Sequence, residues 1–485
     1  MHSETPDILH FKTKRRLDVL TPAQIQTVQE GTLKLLQEVG VHFPSPRAQE
    51  IFADFGAEVD RSTNIVRIPP DLVKKAMSTA PRSFVLGGRE DRFDMILDGN
   101  SSYLCTDGCG VHVVDLETRE LRSSSKADIA MMARVSDALP LVGFYWPMVS
   151  AQDYGRTAPL HECHAGLTNT LKHVRGGTTT YAQLAPYIVE MATVVAGSEE
   201  VRRKRPPICA NICTIAPLSQ DQDGIECALT YAEAGIPTSF MAMTTMGSTA
   251  PATPLGALAT GDAEVVSAMV LIQLAYPGAP VFHSVLVSLM HPRTGGYIGD
   301  ISTPMGAITT QLAHAWGVPS LSGGGVSSDA PDIGWQSGVK GGLGSAMIPL
   351  AGSEICGYLG MLDGSMILRP ELLLLDHEIC LHALEVLGDF EFNEEDMALD
   401  LIAAVGPASH FLKQKHTREH IRDFRLSPYM GQSDNDGNPR EPADVALEEV
   451  KKLAESHQPE PLADEVLAEL DRILAAAEAE AEQIN

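Results

Sequence analysis

The sequence predicts an α/β protein built as a TIM-type (β/α)8 barrel, with an N-terminal α+β extension and C-terminal helices. Two observations predict it, and a third removes the competitor. Short apolar runs alternate with helical stretches over roughly 250 residues, the usual span of such a barrel. The stretches share a rhythm in which a helix ends at glycine and a proline precedes the next apolar run. No G-x-G-x-x-G follows an early strand, as a doubly wound nucleotide-binding sheet would require. The chain divides on this reading into an extension (1–125), the barrel (126–430) and a C-terminal helical segment (431–485).

The first helix is TPAQIQTVQEGTLKLLQEVGV (21–41). Thr21 can cap it, Pro22 suits its first turn, and Gly40 stops it, while Ile25, Val28, Leu33, Leu36 and Val39 recur at helical spacing. DLVKKAMSTAP (71–81) is a shorter helix that ends before proline. Between residues 82 and 122, SFVLGG, FDMILDG, SYLCTDG and VHVVDLETRELR are short β-rich pieces divided by Gly and Asp, and they read as a small antiparallel layer outside the barrel. The helix KADIAMMARVSDALP then leads into LVGFYWPMVS, the first barrel strand. KHVRGGTTT, PPICANICTI, IPTSFMAMTTMG, APVFHSVLVSLM, GVPSLSGGG, ICGYLGMLDG and MILRPELLLL supply the others, separated by helices such as DGIECALTYAEAG and GDAEVVSAMVLIQLAYPG. From residue 434 the chain is polar and then helical. Its two Glu- and Ala-rich amphipathic helices are expected to pack on the barrel or on a second copy, so a homo-oligomer is expected.

Composition bounds the function. A net charge of −27 speaks against nucleic acid or an anionic membrane and suits a cationic substrate. The N-terminus has no apolar core of a signal peptide, and no run of about 18 apolar residues is free of charge, so no transmembrane helix is expected. Eight cysteines in 485 residues make no disulfide framework, and a reducing cytoplasm is the expected location.

In a barrel, chemistry sits at the C-terminal ends of the strands. FYWP (144–147) clusters aromatics at the first such end, in a chain only 5% aromatic. FHS (282–284) and HPRTGGYIGD (291–300) belong to the fifth strand and its loop, and LSGGGVSSDAPDIGWQSGVKGGLG (321–344) follows the sixth. An aromatic wall can receive a cation on its ring faces, and a packed plug of the barrel is the plainer alternative. Tyr145, Trp146 and Tyr297 are expected at the mouth, with Phe240 and His283 deeper. Strand alternation lets only one of Tyr145 and Trp146 face inward, and Tyr145 is the one expected. Glycines such as Gly324 allow the backbone to approach a ligand, with Asp329 and Asp332 supplying charge beside it. A phosphate cradle would need Gly-Lys-Ser/Thr after those glycines, which is missing.

GGGVSSDAPDIGWQSG and GMLDGSMILRPELLLLDHEIC, together with the first helix and ADVALEEVKKLAESHQPEPL, resemble the trimethylamine methyltransferase family over nearly the whole chain. The resemblance implies a TIM barrel and methyl transfer from an amine to a corrinoid protein. Archaeal trimethylamine members carry pyrrolysine in the loop after the sixth strand. Only ordinary residues occur here, so the chain resembles the non-pyrrolysine branch, whose activities include demethylation of glycine betaine and other quaternary amines. The expected function is therefore demethylation of a quaternary amine, glycine betaine first, with the methyl group passed to Co(I) of a separate corrinoid protein. Carnitine, proline betaine and choline are alternative substrates, and a non-catalytic methylamine-binding protein is the alternative class.

A quaternary ammonium already leaves as a neutral amine, so positioning and desolvation should carry catalysis rather than acid–base chemistry. Asp329 and Gln336 are the groups singled out for any catalytic part. Arg293 and Arg369 flank apparent strand ends and are the candidates for holding a substrate carboxylate. Corrinoid proteins of the usual type carry D-x-H-x-x-G, which is absent here, so no tightly bound cofactor is expected and cobalamin belongs to the partner. Asp376, His377 and Glu378 read as a helix start after the eighth strand. HECH (161–164) invites a zinc reading, but its spacing differs from H-E-x-x-H, and no metal is expected.

Overall fold

The computed structural model describes the whole chain except residues 1–2, 13, 109, 300–301, 323–328, 389–391 and 485. At its centre is a curled sheet. Its strands are β1 (Tyr103–Thr106), β2 (Val142–Tyr145), β3 (His173–Gly177), β4 (Ile208–Cys213), β5 (Thr238–Met246), β6 (Val281–Met290), β7 (Leu321–Ser322) and β8 (Ile355–Leu359). A ninth strand, Tyr297–Ile298, runs antiparallel on the end of β6. The eight named strands pair in parallel in the order β6-β5-β4-β3-β2-β1-β8-β7. The two edges approach each other, since the His283 amide donates to Pro319 O at 3.0 Å and His283 pairs in parallel with Ser320.

An α-helix lies ahead of the sheet, and one principal helix follows each strand. The first is α1 (Pro22–Glu38). The others are α2 (Lys126–Asp137), α3 (Ala158–Asn169), α4 (Ala185–Ala196), α5 (Gln222–Glu233), α6 (Pro254–Ala275), α7 (Ser302–Trp316), α8 (Trp335–Ala351) and α9 (Pro370–Leu387). The N-terminus of α1 forms as its sequence dictates: Thr21 caps it in a reciprocal box with Gln24, and Pro22 opens the first turn. Gly40 follows with φ +82°, where a Cβ would meet Val66 O at 2.7 Å.

Two sequence expectations are corrected. MILRPELLLL gives no strand of the main sheet: Ile367–Leu368 joins a small four-stranded sheet, and Pro370 then opens α9, where Leu372, Leu373 and Leu374 are buried as helix. A proline accepted in a first helical turn made that apolar run ambiguous. The missing strand is β1, from SYLCTDG, which by sequence belongs to an outer antiparallel layer. All four of its residues are buried, so it has no polar alternation to distinguish it from a hairpin strand. The extension proposed for residues 1–125 therefore supplies one strand of the central sheet.

The strand side chains divide between an inner core and an outer one, by alternation except on β2, where the register against β1 shifts between Val142 and Phe144. Cys105, Phe144, Cys209, Met241, Phe282, Leu321 and Ile355 cluster inside the curl of the sheet. Val142 and Tyr145 pack outward against one helical layer, and Ile208, Ala210, Phe240 and Val281 against another. The C-terminal helices α10 (Pro442–Ser456) and α11 (Asp464–Ala481) lie on this outside, α10 against α2 and α9, and α11 against α3 and α4. Among the described residues, α6 alone has the length and apolarity to cross a membrane, but 83% of its apolar window is buried within the protein, as in a core helix.

Candidate active site

A cavity of about 590 Å³ opens at the C-terminal ends of the strands. Asp107 and Gly108 reach it from the end of β1, Trp146 from β2, Cys213 from β4, Met241 and Met243 from β5, and Leu286 from β6. Gly296, Tyr297, Gly299 and Ser302 enter between β6 and α7, Asp329 after β7, and Tyr358 with residues 363–366 from β8 and its loop. A larger cleft of about 750 Å³, bordered by Asp18, Arg82, His314 and Glu354, lies near the starts of β1, β7 and β8. Parallel α/β sheets place their chemistry at the opposite ends, so the smaller, more enclosed cavity is the candidate site.

Asp107 is buried and accepts hydrogen bonds from the Gly108 amide at 2.8 Å and the Ser365 hydroxyl at 2.5 Å. Asp329 accepts from the Gly299 amide at 3.0 Å and from Gln336 Nε2 at 3.2 Å, and it pairs with Lys340. Burial opposes its ionisation, but the Lys340 and Gly299 contacts outweigh that effect and hold its carboxyl below the usual range. Thr106 Oγ1 fixes the Trp146 backbone from both sides, accepting from its N–H at 2.8 Å and donating to its carbonyl at 2.7 Å. The indole lies edge-to-face with Tyr358, ring centres 5.6 Å apart, and the Arg175 guanidinium lies 3.7 Å from its ring centre.

The lip of the cavity holds unusual backbone. Tyr358 has φ +71° beside Gly357 at +123°, where the β8–β1 register shifts. Asp363, Gly364 and Ser365 follow at +52°, +64° and +71°. Left-handed non-glycine residues cost of order 1–3 kcal/mol each and concentrate at functional sites.

Of the residues expected from sequence, Trp146, Tyr297 and Asp329 line this cavity. Tyr145 does not: its hydroxyl donates to Ile129 O at 2.9 Å on the outer face. Phe240 packs outward among helical residues, and His283 bonds Asp262 of α6 through Nε2 at 2.8 Å. Both belong to the strand phase opposite to the one that faces in. Arg293 is exposed on the loop after β6, where its amide bonds His291 Nδ1 at 3.2 Å. Asp332 pairs with Arg369, whose guanidinium also holds Glu371 at 2.7 Å, so neither reaches the cavity. Gln336 acts on Asp329 and does not itself form part of the wall. Gly324 lies outside the described residues.

Sequence reasoning missed Asp107, Arg175, Met241 and Tyr358. The signal for Asp107 was present in CTDG once that piece is a central strand. The signal for Arg175 was a lone charge inside the apolar KHVRGG. Asp376 and His377 do not start a helix but sit within α9, where they receive the Gly360 and Leu141 amides at 2.8 and 3.3 Å. In HECH, His161 and His164 bond Glu478 and Asp471 of α11 at 2.9 and 3.2 Å. They dock that helix, and no group of three metal-ligating side chains occurs among the described residues.

Comparison with known proteins gives this site a context. The sequence model of the family described as trimethylamine methyltransferase matches residues 3–481. Trimethylamine methyltransferase MttB of Desulfitobacterium hafniense is 30% identical over 471 residues, 94% of this chain and 93% of that protein. The glycine betaine methyltransferase of D. hafniense strain Y51 is 29% identical over 424 residues, covering 84% and 86%. The solved monomethylamine methyltransferase of Methanosarcina barkeri aligns over 90% of this chain and 92% of its own at 11% identity, but with a TM-score of 0.42, too low to bear on the fold.

Proposed function

Because the chain belongs to the trimethylamine methyltransferase family and is a methyltransferase, we propose that it demethylates a quaternary amine, glycine betaine first, and passes the methyl group to Co(I) of a separate corrinoid protein. The observation that carries this reading is the character of the 590 Å³ chamber. Asp107, Asp329 and Asp363 line it together with Trp146, Tyr297, Tyr358 and three methionines, and no lysine, arginine or histidine is among its described lining residues. Such a wall attracts a cation and gives its methyl groups apolar and aromatic surfaces to rest on.

We read the parallel sheet as a closed (β/α)8 barrel, joined through the His283–Ser320 pairing, with this chamber at its mouth. Within it the protein's part is positional. Trp146, Tyr358 and the methionines would hold the methyl groups and exclude water, while Asp107 and Asp329 steer the positive nitrogen. No proton need be moved, because the leaving amine is neutral. The corrinoid is a substrate brought by its own protein: this sequence lacks D-x-H-x-x-G, and no histidine is among the described lining residues of the chamber. A cytoplasmic setting suits the seven described cysteines, all of them free.

The test is a substrate panel of glycine betaine, carnitine, proline betaine, choline and trimethylamine with a cognate Co(I) corrinoid protein, following the change in corrinoid absorbance. Methylation of the corrinoid with a quaternary amine supports the reading. Turnover of trimethylamine alone would overturn the substrate class, and saturable binding with no turnover would favour a binding protein.

A further inference from the structure

Beside the main chamber lies a second, smaller space of about 80 Å³. The two share Trp146 and Cys213 as a common wall. Arg175, near the end of β3, lines the smaller one and is only 3% exposed. Its guanidinium carbon lies over the Trp146 ring, 3.7 Å from the ring centre. Among the described residues its one side-chain hydrogen bond, Nη2 to Ser239 Oγ, is long at 3.4 Å. Nε and Nη1 are buried without a hydrogen-bond partner, and no carboxylate forms an ion pair with Arg175 among the described residues. Glu162 lines the same space, but its carboxyl is occupied by the Ser150 hydroxyl at 2.8 Å and the Ala151 amide at 3.2 Å, and burial pushes it up toward the neutral form.

A permanently charged group buried without a counter-ion is costly, and protein interiors rarely leave one so. The guanidinium fork with two idle donors is the usual receptor for a planar carboxylate. On the reading of the chamber as a quaternary-ammonium site, we infer that Arg175 anchors a carboxylate in the smaller space, so that the substrate is a zwitterion with its ammonium and carboxylate a short chain apart. The two spaces then match the two ends of the ligand: carboxylates and ring faces toward the cation, one guanidinium toward the anion. Trp146 serves both ends, since its ring carries the Arg175 guanidinium and forms part of the cation chamber. The smaller space has room for a carboxylate beside the guanidinium. Choline and tetramethylammonium would leave Arg175 uncompensated and should bind less well. This role falls to neither Arg293 nor Arg369, one exposed on its loop and the other committed to Asp332 and Glu371.

The test measures the binding of glycine betaine, choline and tetramethylammonium by calorimetry, together with turnover, for the full-length wild type, Arg175→Gln and Arg175→Lys. Wild type should prefer betaine. Arg175→Gln should weaken betaine roughly ten- to a hundredfold while leaving tetramethylammonium unchanged or tighter, with Arg175→Lys in between. A loss common to all three ligands would assign Arg175 a structural role and overturn the inference. So would a wild type that binds and demethylates carboxylate-free amines as well as betaine, though methyl transfer from quaternary amines would then stand. Betaine binding that depends on Arg175 without turnover would support the anchor and overturn the methyl-transfer reading. Absence of betaine binding overturns both. Thermal unfolding of each variant, and the rank order across ligands, separates misfolding from loss of the anchor.

Discussion

Trp146 and Tyr145 are adjacent, yet they face opposite sides of β2. One ring is in the chamber, and the other is bonded to Ile129 O beneath a helix. Trp146→Ala should therefore weaken substrate binding by roughly tenfold or more, because it removes both a cation-facing ring and the surface under Arg175. Tyr145→Phe should leave affinity intact and lower stability by about 1 kcal/mol, the worth of one hydrogen bond. Titration calorimetry and denaturant unfolding of both variants check this, and unchanged affinity in Trp146→Ala would remove the indole from the site. The sequence shows that only one of the two can face inward and favours Tyr145, which is the wrong one, because alternation has no absolute phase without a neighbouring strand. The same half-period slip put Phe240 and His283 in the site and left out Met241. Asp329 was legible since it stands in a conspicuous glycine-rich loop. Arg175 was not, because its importance lies in what fails to pair with it.

A second residue sets a pH dependence. His173 is buried, its Nδ1 3.0 Å from Gly87 O, and burial lowers its pKa from 6.5 to about 4. The unfolded chain takes up this proton first. Stability from the neutral ring is therefore fully present above 6.5 and is lost as the pH falls toward 4, by at most about 1.4 kcal/mol per pH unit. His173→Gln should lose less stability than wild type between pH 7.5 and 5, measured by denaturant midpoints. Parallel losses in the two proteins would contradict the assignment.

Among the elements, the C-terminal segment is tied to the sheet through one carboxylate. Asp137, at the end of α2, is fully buried and accepts from Thr5, from Thr170 Oγ1 at 2.7 Å, from the Leu171 amide at 2.8 Å and from His457 Nε2 at 2.8 Å. It joins the N-terminal arm, the start of β3 and the linker from α10 to α11. Asp137→Ala strands these donors and should cost about 3–5 kcal/mol, with faster amide exchange around residue 457. Exchange and melting unchanged from wild type would refute the hub. Amphipathic patterning anticipated α10 and α11 as packing helices, but their true partners depend on contacts such as His161–Glu478 that no local pattern encodes. Most of the alternating strands and helices were legible because their apolar runs are long and punctuated by Gly and Pro. β1 and the last strand of the sheet were not, because four buried residues and a proline-led leucine run carry no distinguishing period.

Over the whole molecule, the net charge of −27 agrees with a chamber that takes a cation, and it would also draw cationic substrates from a distance. The C-terminal helices pack on this chain's own helices, so they no longer argue for a second copy. Another surface does: between residues 392 and 430, Phe392, Leu412, Phe424 and Leu426 are 75%, 75%, 70% and 83% exposed. An apolar surface of that kind suits association, and we expect a homo-oligomer in solution. Sedimentation velocity of the wild type should show a species larger than 52.1 kDa that shifts toward the monomer in Phe424→Asp, whereas a wild-type monomer at tens of micromolar would contradict it.

The central claim is the transfer of one methyl group from a quaternary amine to a corrinoid protein. Its most direct measurement follows glycine betaine labelled with ¹³C in its N-methyl groups, by NMR, in the presence of the enzyme and Co(I) corrinoid protein. The account predicts one labelled methyl on the corrinoid for each dimethylglycine formed, with none when enzyme is omitted. Labelled betaine that stays intact under these conditions, with carnitine, proline betaine and choline equally inert, would contradict it.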